Sequence, residues 1–362
     1  MKLFDWLWRR TPATRHAVAG TSLTPAPAPG DTSASTGETT RARTAAEVLA
    51  APTAADETPA ALHRQLWRFV FRAATLAPPL DAAQQAVLNA ARAQLTDGTM
   101  ADRHFPRRPT LMPQLLAAVN NAAAGASTLA GIITQDPVLT ADVLRLANSV
   151  FLRPGSQPIE SVQRAIIVCG TDGLQSLAAR ALLQPVFRGG SGAAFAEFPP
   201  RLWEHSTRAG FVAGAHARLS SPAEQQTAQL LPLLAALGPL VAYRVLGEQY
   251  RAAPSLQPEP QVYLQLIETE SPAATRRIVA QWGVSDRLQQ ALQAAETDAD
   301  DARAAGDLAP LVAAQRVSSM LATLSLLRDA GQLLDSDCER IIAAIPGAPE
   351  LWPQLLARAQ RQ

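Results

Sequence analysis

Five histidines are the residues of this sequence best suited to bind a metal ion or transfer a proton near neutral pH. His205 and His216 are eleven positions apart, about three helical turns, so a helix would place both on one face. At a rise of about 1.5 Å per residue, roughly 16 Å would separate them, which is too far for one metal ion. No histidine is followed by aspartate. We therefore expect His205 to be a structural residue and predict no metal site. Two acidic pairs lack a second type of ligand and are interpreted as solvated: Glu268 with Glu270, and Asp300 with Asp301.

A glycine-containing segment, residues 170–173, is the part of the sequence most similar to a phosphate-binding loop. It reads Gly-Thr-Asp-Gly, but it lacks the Lys-Ser/Thr ending with which such loops hold a phosphate and a magnesium ion. A glycine that ends one helix, followed by a turn and a new N-cap, explains the same residues. The sequence has no Gly-x-Ser-x-Gly segment either. We predict no catalytic residue, no cofactor and no cofactor-binding residue.

Arginines recur at helical spacing in one place. Arg64, Arg68 and Arg72 are four residues apart, on the polar side of a predicted helix. Such a stripe contacts an acidic partner or, as we expect here, solvent. A second basic cluster has the same interpretation, because few aromatic side chains lie near it for stacking on bases. It comprises Arg103, His104, Arg107 and Arg108.

The composition excludes several classes of protein. The 362 residues include 32 basic and 31 acidic ones, a net charge of +1, which disfavours a nucleic-acid partner. The two cysteines, Cys169 and Cys338, are far apart and outside Cys-x-x-Cys spacing, which excludes a disulfide-stapled domain. No uninterrupted apolar run approaches the ~20 residues of a membrane-spanning helix. Since 48% of the residues are hydrophobic, the chain can form a large core.

The N-terminal part of the sequence has two segments. Residues 1–10 are a predicted amphipathic helix, because Leu3, Phe4 and Leu7 fall on one arc. This helix docks on a membrane surface or on a partner, or it folds back on its own domain, and these alternatives stay open. Residues 11–60 are rich in proline and small polar residues and lack a periodic apolar face, which predicts a disordered linker.

From residue 61 onward, apolar residues recur at helical spacing, and alternating strands bounded by hairpin turns are absent. Asp81 is a predicted N-cap, and so is Asp136, which precedes a proline at the first helical position. Asn148 and Ser149 end the helix that Asp136 begins. These three polar residues either cap the helix, as we expect, or form a recognition surface. We predict an all-α fold, with further helices over residues 112–123 and 127–134.

The sequence between residues 107 and 187 resembles the HDOD family, the HD-related output domains of bacterial signalling proteins. The matching segments are residues 109–116, 132–140, 144–149, 158–162, 165–166 and 169–170. Further on, Leu-Trp-Glu-His-Ser at 202–206 looks like the family's Trp-x-His-Ser helix, and Gln-Trp-Gly-Val at 281–284 resembles its late Trp-Gly-Leu-Pro turn. Trp203 and Trp282 are interpreted as core anchors. The resemblance covers about residues 101–300 and implies a multi-helix HDOD-like bundle.

The resemblance also indicates what is missing. HD-superfamily phosphohydrolases, to which this family is similar, hold divalent metals with a first histidine, a later His-Asp dipeptide and a final aspartate. His205 stands at the first histidine, but Ala235 and Ala236 occupy the place of the dipeptide. Alanine has no side-chain lone pair for a metal. The resemblance therefore implies a degenerate HD domain that is not an enzyme.

This reading divides the chain into the N-terminal helix (1–10), the linker (11–60), a helical extension (61–100), the HDOD domain (101–300) and C-terminal helices packed on it (301–362). The resemblance implies a non-catalytic regulatory or scaffold protein that acts by protein–protein interaction in a two-component or cyclic-diguanylate-linked bacterial pathway. Its expected partners are a sensor kinase, a response regulator or a cyclic-diguanylate enzyme. The expected location is the cytoplasm, peripheral at the inner membrane if residues 1–10 dock there.

Two alternatives remain open. One is an HD-type metal-dependent phosphohydrolase acting on a cyclic or linear nucleotide. The other is a cyclic-diguanylate-binding effector that uses the arginines from Arg103 to Arg108.

Overall fold

Helices make up all the regular structure of the described residues. The computed structural model describes residues 58–73, 79–97, 111, 113–114, 126–148, 159–187, 194–296 and 305–359. These residues form thirteen α-helices and no strand, which confirms the all-α prediction. The helix predicted at residues 1–10, the linker predicted up to residue 57 and most of the helix predicted at 112–123 lie outside the described residues.

The helices follow one another with short connections. The first five are α1 (Pro59–Phe71), α2 (Ala82–Thr96), α3 (Ala126–Thr134), α4 (Pro137–Ala147) and α5 (Val162–Phe187). The next four are α6 (Phe198–Ser220), α7 (Gln225–Ala235), α8 (Leu237–Ala252) and α9 (Pro260–Gln281). The last four are α10 (Asp286–Glu296), α11 (Ala309–Asp329), α12 (Asp335–Ala343) and α13 (Ala348–Ala359).

Side-chain caps begin the first two helices. The Thr58 hydroxyl accepts a hydrogen bond from the Ala61 N–H at 3.2 Å, and Pro59 takes the first helical position. Helix α1 therefore begins slightly before the predicted residue 61, because threonine satisfies an N–H that would otherwise lack a partner. Asp81 accepts from the Gln84 N–H at 2.7 Å, which confirms the predicted cap of α2.

Helix α5 contains a break at Gly170. The φ angle of this residue is 73° and its ψ angle is 174°, a conformation that side-chain-bearing residues rarely adopt. The interpretation of Gly170 as a glycine that ends one helical segment is confirmed. The predicted turn after it is reduced to this one residue, since the helix resumes at once.

The core is built around helix α6. Helix α6 packs along both α7 and α11, and α8 packs along α9. Phe71 of α1 stacks on Phe198 of α6 with ring centroids 4.7 Å apart, and Phe198 in turn contacts Tyr243 of α8 at 5.3 Å. Aromatic side chains bury large apolar areas, so these rings tie three helices together.

Two ion pairs attach α1 and α2 to α9. Arg64 Nε lies 2.7 Å from Glu268 Oε1, and Arg92 Nε lies 2.8 Å from Glu270 Oε1. The interpretation of Glu268 and Glu270 as a solvated pair is therefore wrong. Both face arginines about 180–200 residues earlier in the chain, and the Glu270 side chain is only 16% exposed.

Two helical stretches are long and apolar enough to cross a membrane. They are Gln225–Ala252, which spans α7 and α8, and Gly306–Asp329, which ends with α11. Of their most apolar windows, 83% and 72% are buried inside the protein. Burial in the core accounts for their apolar character, as in the core helices of other large bundles.

Candidate functional site

His205 lies on α6 with 7% of its surface exposed. Its Nε2 atom is 3.1 Å from Oγ1 of Thr323 on α11. The Thr323 hydroxyl donates its one hydrogen to the carbonyl oxygen of Ser319, 2.8 Å away. Oγ1 of Thr323 is therefore the acceptor, and Nε2 of His205 carries the hydrogen and donates it. A ring nitrogen in this state has no lone pair to offer a metal ion.

Helix α1 also contacts His205. The ring of His63 lies 5.5 Å from the ring of His205, and that of Trp67 lies 5.8 Å from it, measured between centroids. The Trp67 indole N–H donates to Nε2 of His63 at 3.0 Å. We call His63, Trp67, His205 and Thr323 the His205 cluster. In this cluster the two nitrogens denoted Nε2 are both engaged by neighbouring residues.

Burial keeps both histidines of the cluster neutral. It lowers the pKa of His205 to about 3, and the charge that His63 would carry lowers it further. Burial likewise lowers the pKa of His63 to about 4. At neutral pH His63 can therefore accept the indole hydrogen, and the cluster carries no charge. Its hydrogen bonds are those of a structural contact between helices.

The segment from Ala235 to Gly238 connects α7 to α8. The Gly238 N–H donates to Oγ1 of Thr275 on α9 at 3.2 Å, and that hydroxyl donates to the Ala235 carbonyl oxygen, also at 3.2 Å. A Cβ atom on Gly238 would lie 2.2 Å from the carbonyl oxygen of Ser271. Glycine is therefore required for the close approach of α8 to α9. Neither Ala235 nor Ala236 offers a side-chain ligand.

A buried arginine adjoins the His205 cluster one helical turn later on α6. Arg208, 2% exposed, donates to Glu204 at 2.7 Å, to Asp329 at 2.8 Å and to the hydroxyl of Ser325. Asp329 and Ser325 belong to α11, so this network joins α6 to α11. The spacing of Glu204 and Arg208 is visible in the sequence, but sequence reasoning missed the network because nothing in the sequence indicates its α11 members.

A comparison with protein families decides the identity of this bundle. Residues 105–298, more than half of the chain, match the family model of the HDOD domain. The chain belongs to the HDOD family. The resemblance found in the sequence is thus confirmed. The contacts of His205 with His63, Trp67 and Thr323 come from helices outside the matched residues, so flanking helices close over the HDOD domain at this point.

Solved structures share this fold. An HDOD domain protein from Geobacter sulfurreducens is 17% identical over 75% of this chain and 89% of its own, with a TM-score of 0.51. A protein from Shewanella amazonensis SB2B, provisionally named a phosphohydrolase, is 19% identical over 74% of this chain and 95% of its own, with a TM-score of 0.52. A second protein from that organism, provisionally named a metal-dependent phosphohydrolase, is 16% identical over 78% of this chain and 100% of its own, with a TM-score of 0.50. At these identities the likeness shows the fold alone. A search of curated proteins found no match.

The residues of this HDOD domain do not fit the metal site of the HD phosphohydrolases. In the described ranges, no group of three or more His, Cys, Asp or Glu side chains is placed to hold a metal ion. Ala235 and Ala236 supply no donor atom, and Nε2 of His205 is committed to Thr323. We therefore derive no chemical step through a metal.

The polar residues around α4 have capping roles. Oδ1 of Asp136 accepts from the Leu139 N–H at 3.2 Å, which confirms the predicted cap. The Asn148 side chain donates to the carbonyl oxygens of Leu144 and Ile159, and its oxygen accepts from the Ile159 N–H at 2.7 Å. Asn148 thus closes α4 and fixes the start of the next segment, as the capping interpretation predicts. Ser149 lies outside the described residues.

The tryptophans and cysteines of interest lie in or near the core. Trp282 is 1% exposed, and Trp203 packs against Phe187 with centroids 5.1 Å apart, as expected for core anchors. Both cysteines are free thiols, with Cys169 half-buried and Cys338 buried.

The remaining charged residues have mixed outcomes. Arg72 is 82% exposed and lies 3.6 Å from Glu197, so the predicted arginine stripe contacts carboxylates of its own chain as well as solvent. His216, half-buried on α6, has a lowered pKa because of its burial. Several residues singled out in the sequence lie outside the described ranges: Asp300, Asp301, Arg103, His104, Arg107 and Arg108.

Proposed function

We propose that this HDOD protein is a non-catalytic regulator that acts by binding other signalling proteins. Membership of the HDOD family supports a role in signal transduction. The observation that carries the proposal is the state of His205. It stands where the related phosphohydrolases have their first metal-binding histidine, yet it is buried between α1 and α11 and donates its Nε2 hydrogen to Thr323.

The chemistry of phosphate-ester hydrolysis supports the same proposal. Metal-dependent phosphohydrolases need ligands that hold the metal, and a coordination position open to water, so that the metal can activate the attacking group. Here alanines stand at the place of the His-Asp pair, and the surroundings of His205 are the rings of His63 and Trp67. A regulator needs none of these groups, because its output depends on a surface that a partner recognises.

The partners we propose are a sensor kinase, a response regulator or a cyclic-diguanylate enzyme in the cytoplasm. Exposed apolar side chains offer places at which to look for them, since large apolar groups on a surface often mark contacts with other proteins. Ile167, Leu219 and Leu334 are 74%, 65% and 70% exposed.

A genetic experiment separates regulation from catalysis. A strain deleted for the gene is complemented with wild-type protein, with His205→Gln, or with His216→Gln as a matched control on the same helix. Glutamine can still donate to Thr323 but is a poor metal ligand, so all three proteins are expected to restore the wild-type transcript profile. Failure of His205→Gln alone, at wild-type protein level and melting temperature, would contradict a non-catalytic role.

A second experiment looks for the partner itself. A photo-crosslinking amino acid is placed at Ile167, Leu219 or Leu334 in living cells, with Arg251, an exposed residue of α8, as the control position. We expect at least one apolar position to crosslink to a protein with a signalling domain, above the level at Arg251. If crosslinked products at all three positions equal the control, the proposed mode of action loses its support at these surfaces.

A further inference from the structure

A cavity of about 640 Å³ lies among α5, α6, α7 and α13. None of the four residues of the His205 cluster lines it, so it is separate from the degenerate HD site. Gly170, where α5 breaks, and Gly173 form part of its wall. Two positions without side chains, one turn apart, leave room at this wall for a bound molecule.

Three arginines from three helices line the cavity: Arg180 of α5, Arg218 of α6 and Arg358 of α13. The described residues that line it include no aspartate or glutamate. Arg180 is 6% exposed and donates to the carbonyl oxygen of Thr207 at 2.5 Å. Its burial, together with the charge of Arg358, lowers the pKa of Arg180 to about 9. Cations brought together in a poorly solvated place favour the binding of an anion, which offsets their mutual repulsion.

Neutral groups in the cavity can contact the rest of such a molecule. Gln225 and Gln229 of α7 present side-chain amides, each able to donate and to accept hydrogen bonds. The guanidinium carbon of Arg358 lies 4.2 Å from the centroid of the Phe211 ring, a stacking contact that fixes the plane of the guanidinium. Arg218 is exposed and forms no ion pair within the described part of the chain, so its fork of donors can reach a ligand.

We propose that this cavity binds a phosphorylated small molecule of nucleotide size. Arginine matches phosphate with paired, charge-assisted hydrogen bonds, and three of them suit a ligand with more than one negative charge. The volume lies within the range of about 300–1,000 Å³ typical of small-molecule sites, which is more than a free phosphate ion fills. The amides and the Phe211 side chain would then contact the part of the ligand beyond its phosphate. This proposal does not depend on the proposed regulatory function.

Cys169 provides a direct readout of occupancy. It lines the cavity and is half-buried, whereas Cys338 is fully buried and its pKa is raised to about 11 by burial. The rate of N-ethylmaleimide labelling of each cysteine is measured by mass spectrometry on the full chain. The probes are the four common nucleoside 5′-monophosphates, the corresponding nucleosides and inorganic phosphate, each at the same millimolar concentration. Labelling of Cys338 reports any unfolding.

Arg218→Gln tests the site, and Arg251→Gln, which removes an exposed arginine outside the cavity, is the matched control. We expect at least one nucleotide to slow the labelling of Cys169 more than its nucleoside or phosphate does. Arg218→Gln should weaken that protection about tenfold, since hydrogen bonds to charged groups are worth at least this factor, while Arg251→Gln leaves it unchanged. Protection by phosphate equal to that by every nucleotide would overturn the inferred ligand size. No protection by any phosphorylated probe, or equal protection in Arg218→Gln, would overturn the site.

Discussion

The imidazole of His205 and the hydroxyl of Thr323 form a buried hydrogen bond 3.1 Å long that joins α6 to α11. His205 belongs to the region that matches the HDOD family, and Thr323 lies beyond the end of that region. On α1, which precedes the region, His63 contacts the same imidazole ring. Flanking helices therefore cover the histidine that a metal-dependent relative would direct to its metal, and the position has become part of the core.

Replacement of His205 tests this structural role. His205→Ala removes a buried ring and leaves Oγ1 of Thr323 without its donor, so we expect the free energy of unfolding to fall by about 2–4 kcal/mol. His205→Gln keeps a donor and should cost less than half as much. Urea unfolding followed by circular dichroism measures both values. An alanine variant as stable as wild type would show that the ring does not support the fold.

The low pKa values of the buried histidines predict a loss of stability in acid. The pKa of His205 is about 3 in the folded protein against an ordinary 6.5, and that of His63 is about 4. Between these limits the unfolded chain binds protons that the folded protein does not, so stability falls as the pH falls below about 6.5. One such histidine contributes a slope of up to about 1.4 kcal/mol per pH unit.

Unfolding at pH 7, 6 and 5 measures that slope, and His205→Gln should flatten it. His216, with its pKa also lowered by burial, contributes in the same direction. The variant His216→Gln therefore supplies the correction for this second group. An unchanged slope in His205→Gln would mean that His205 already takes up its proton in the folded state.

The Arg208 network predicts an unequal cost for two neighbouring aspartates. Asp329 accepts from Arg208, whose side chain is 3% exposed, whereas Asp335 pairs with Arg328 and is 69% exposed. Asp329→Asn should lower the free energy of unfolding by about 1–3 kcal/mol, because it weakens the charge balance of a buried guanidinium. Asp335→Asn should cost less than about 1 kcal/mol. Equal costs in chemical unfolding would contradict the assigned importance of the buried network.

Local features of this fold could be predicted from the sequence because they depend on neighbouring residues. Asp81 and Asp136 cap helices three residues ahead of them, and Gly170 ends a helical segment through its own backbone freedom. In each feature the partner lies within one turn. The helical periodicity that indicated the all-α fold is local in the same sense.

The long-range features could not be predicted in this way. Arg64 and Glu268 are 204 positions apart, and the tertiary fold alone brings them together, which is why a solvated interpretation of Glu268 was wrong. Likewise Arg180, Arg218 and Arg358 show no common spacing, although they line one cavity. His205 was expected to be structural, but its contact with α1 depends on how that helix docks.

Two glycines offer a matched test of packing. A Cβ atom on Gly238 would lie 2.2 Å from the Ser271 carbonyl oxygen and 2.3 Å from Oγ1 of Thr275, whereas one on Gly131 of α3 would meet nothing within 4 Å. Gly238→Ala should therefore destabilise the protein by about 1–3 kcal/mol or more. Gly131→Ala should stabilise it by about 0.5–1 kcal/mol, since alanine favours a helix interior. Thermal unfolding of both variants distinguishes the signs, and a stabilising Gly238→Ala would contradict the close packing of α8 on α9.

The most direct test of a non-catalytic HDOD domain joins metal binding to turnover in one sample. Purified full-length protein is incubated with Mn²⁺, desalted, assayed for bound metal by mass spectrometry, and assayed with Mn²⁺ for hydrolysis of bis(p-nitrophenyl) phosphate. We predict no stoichiometric manganese, and no hydrolysis above the level of the His205→Gln variant. One or two manganese ions per chain, together with hydrolysis that His205→Gln abolishes, would contradict the account.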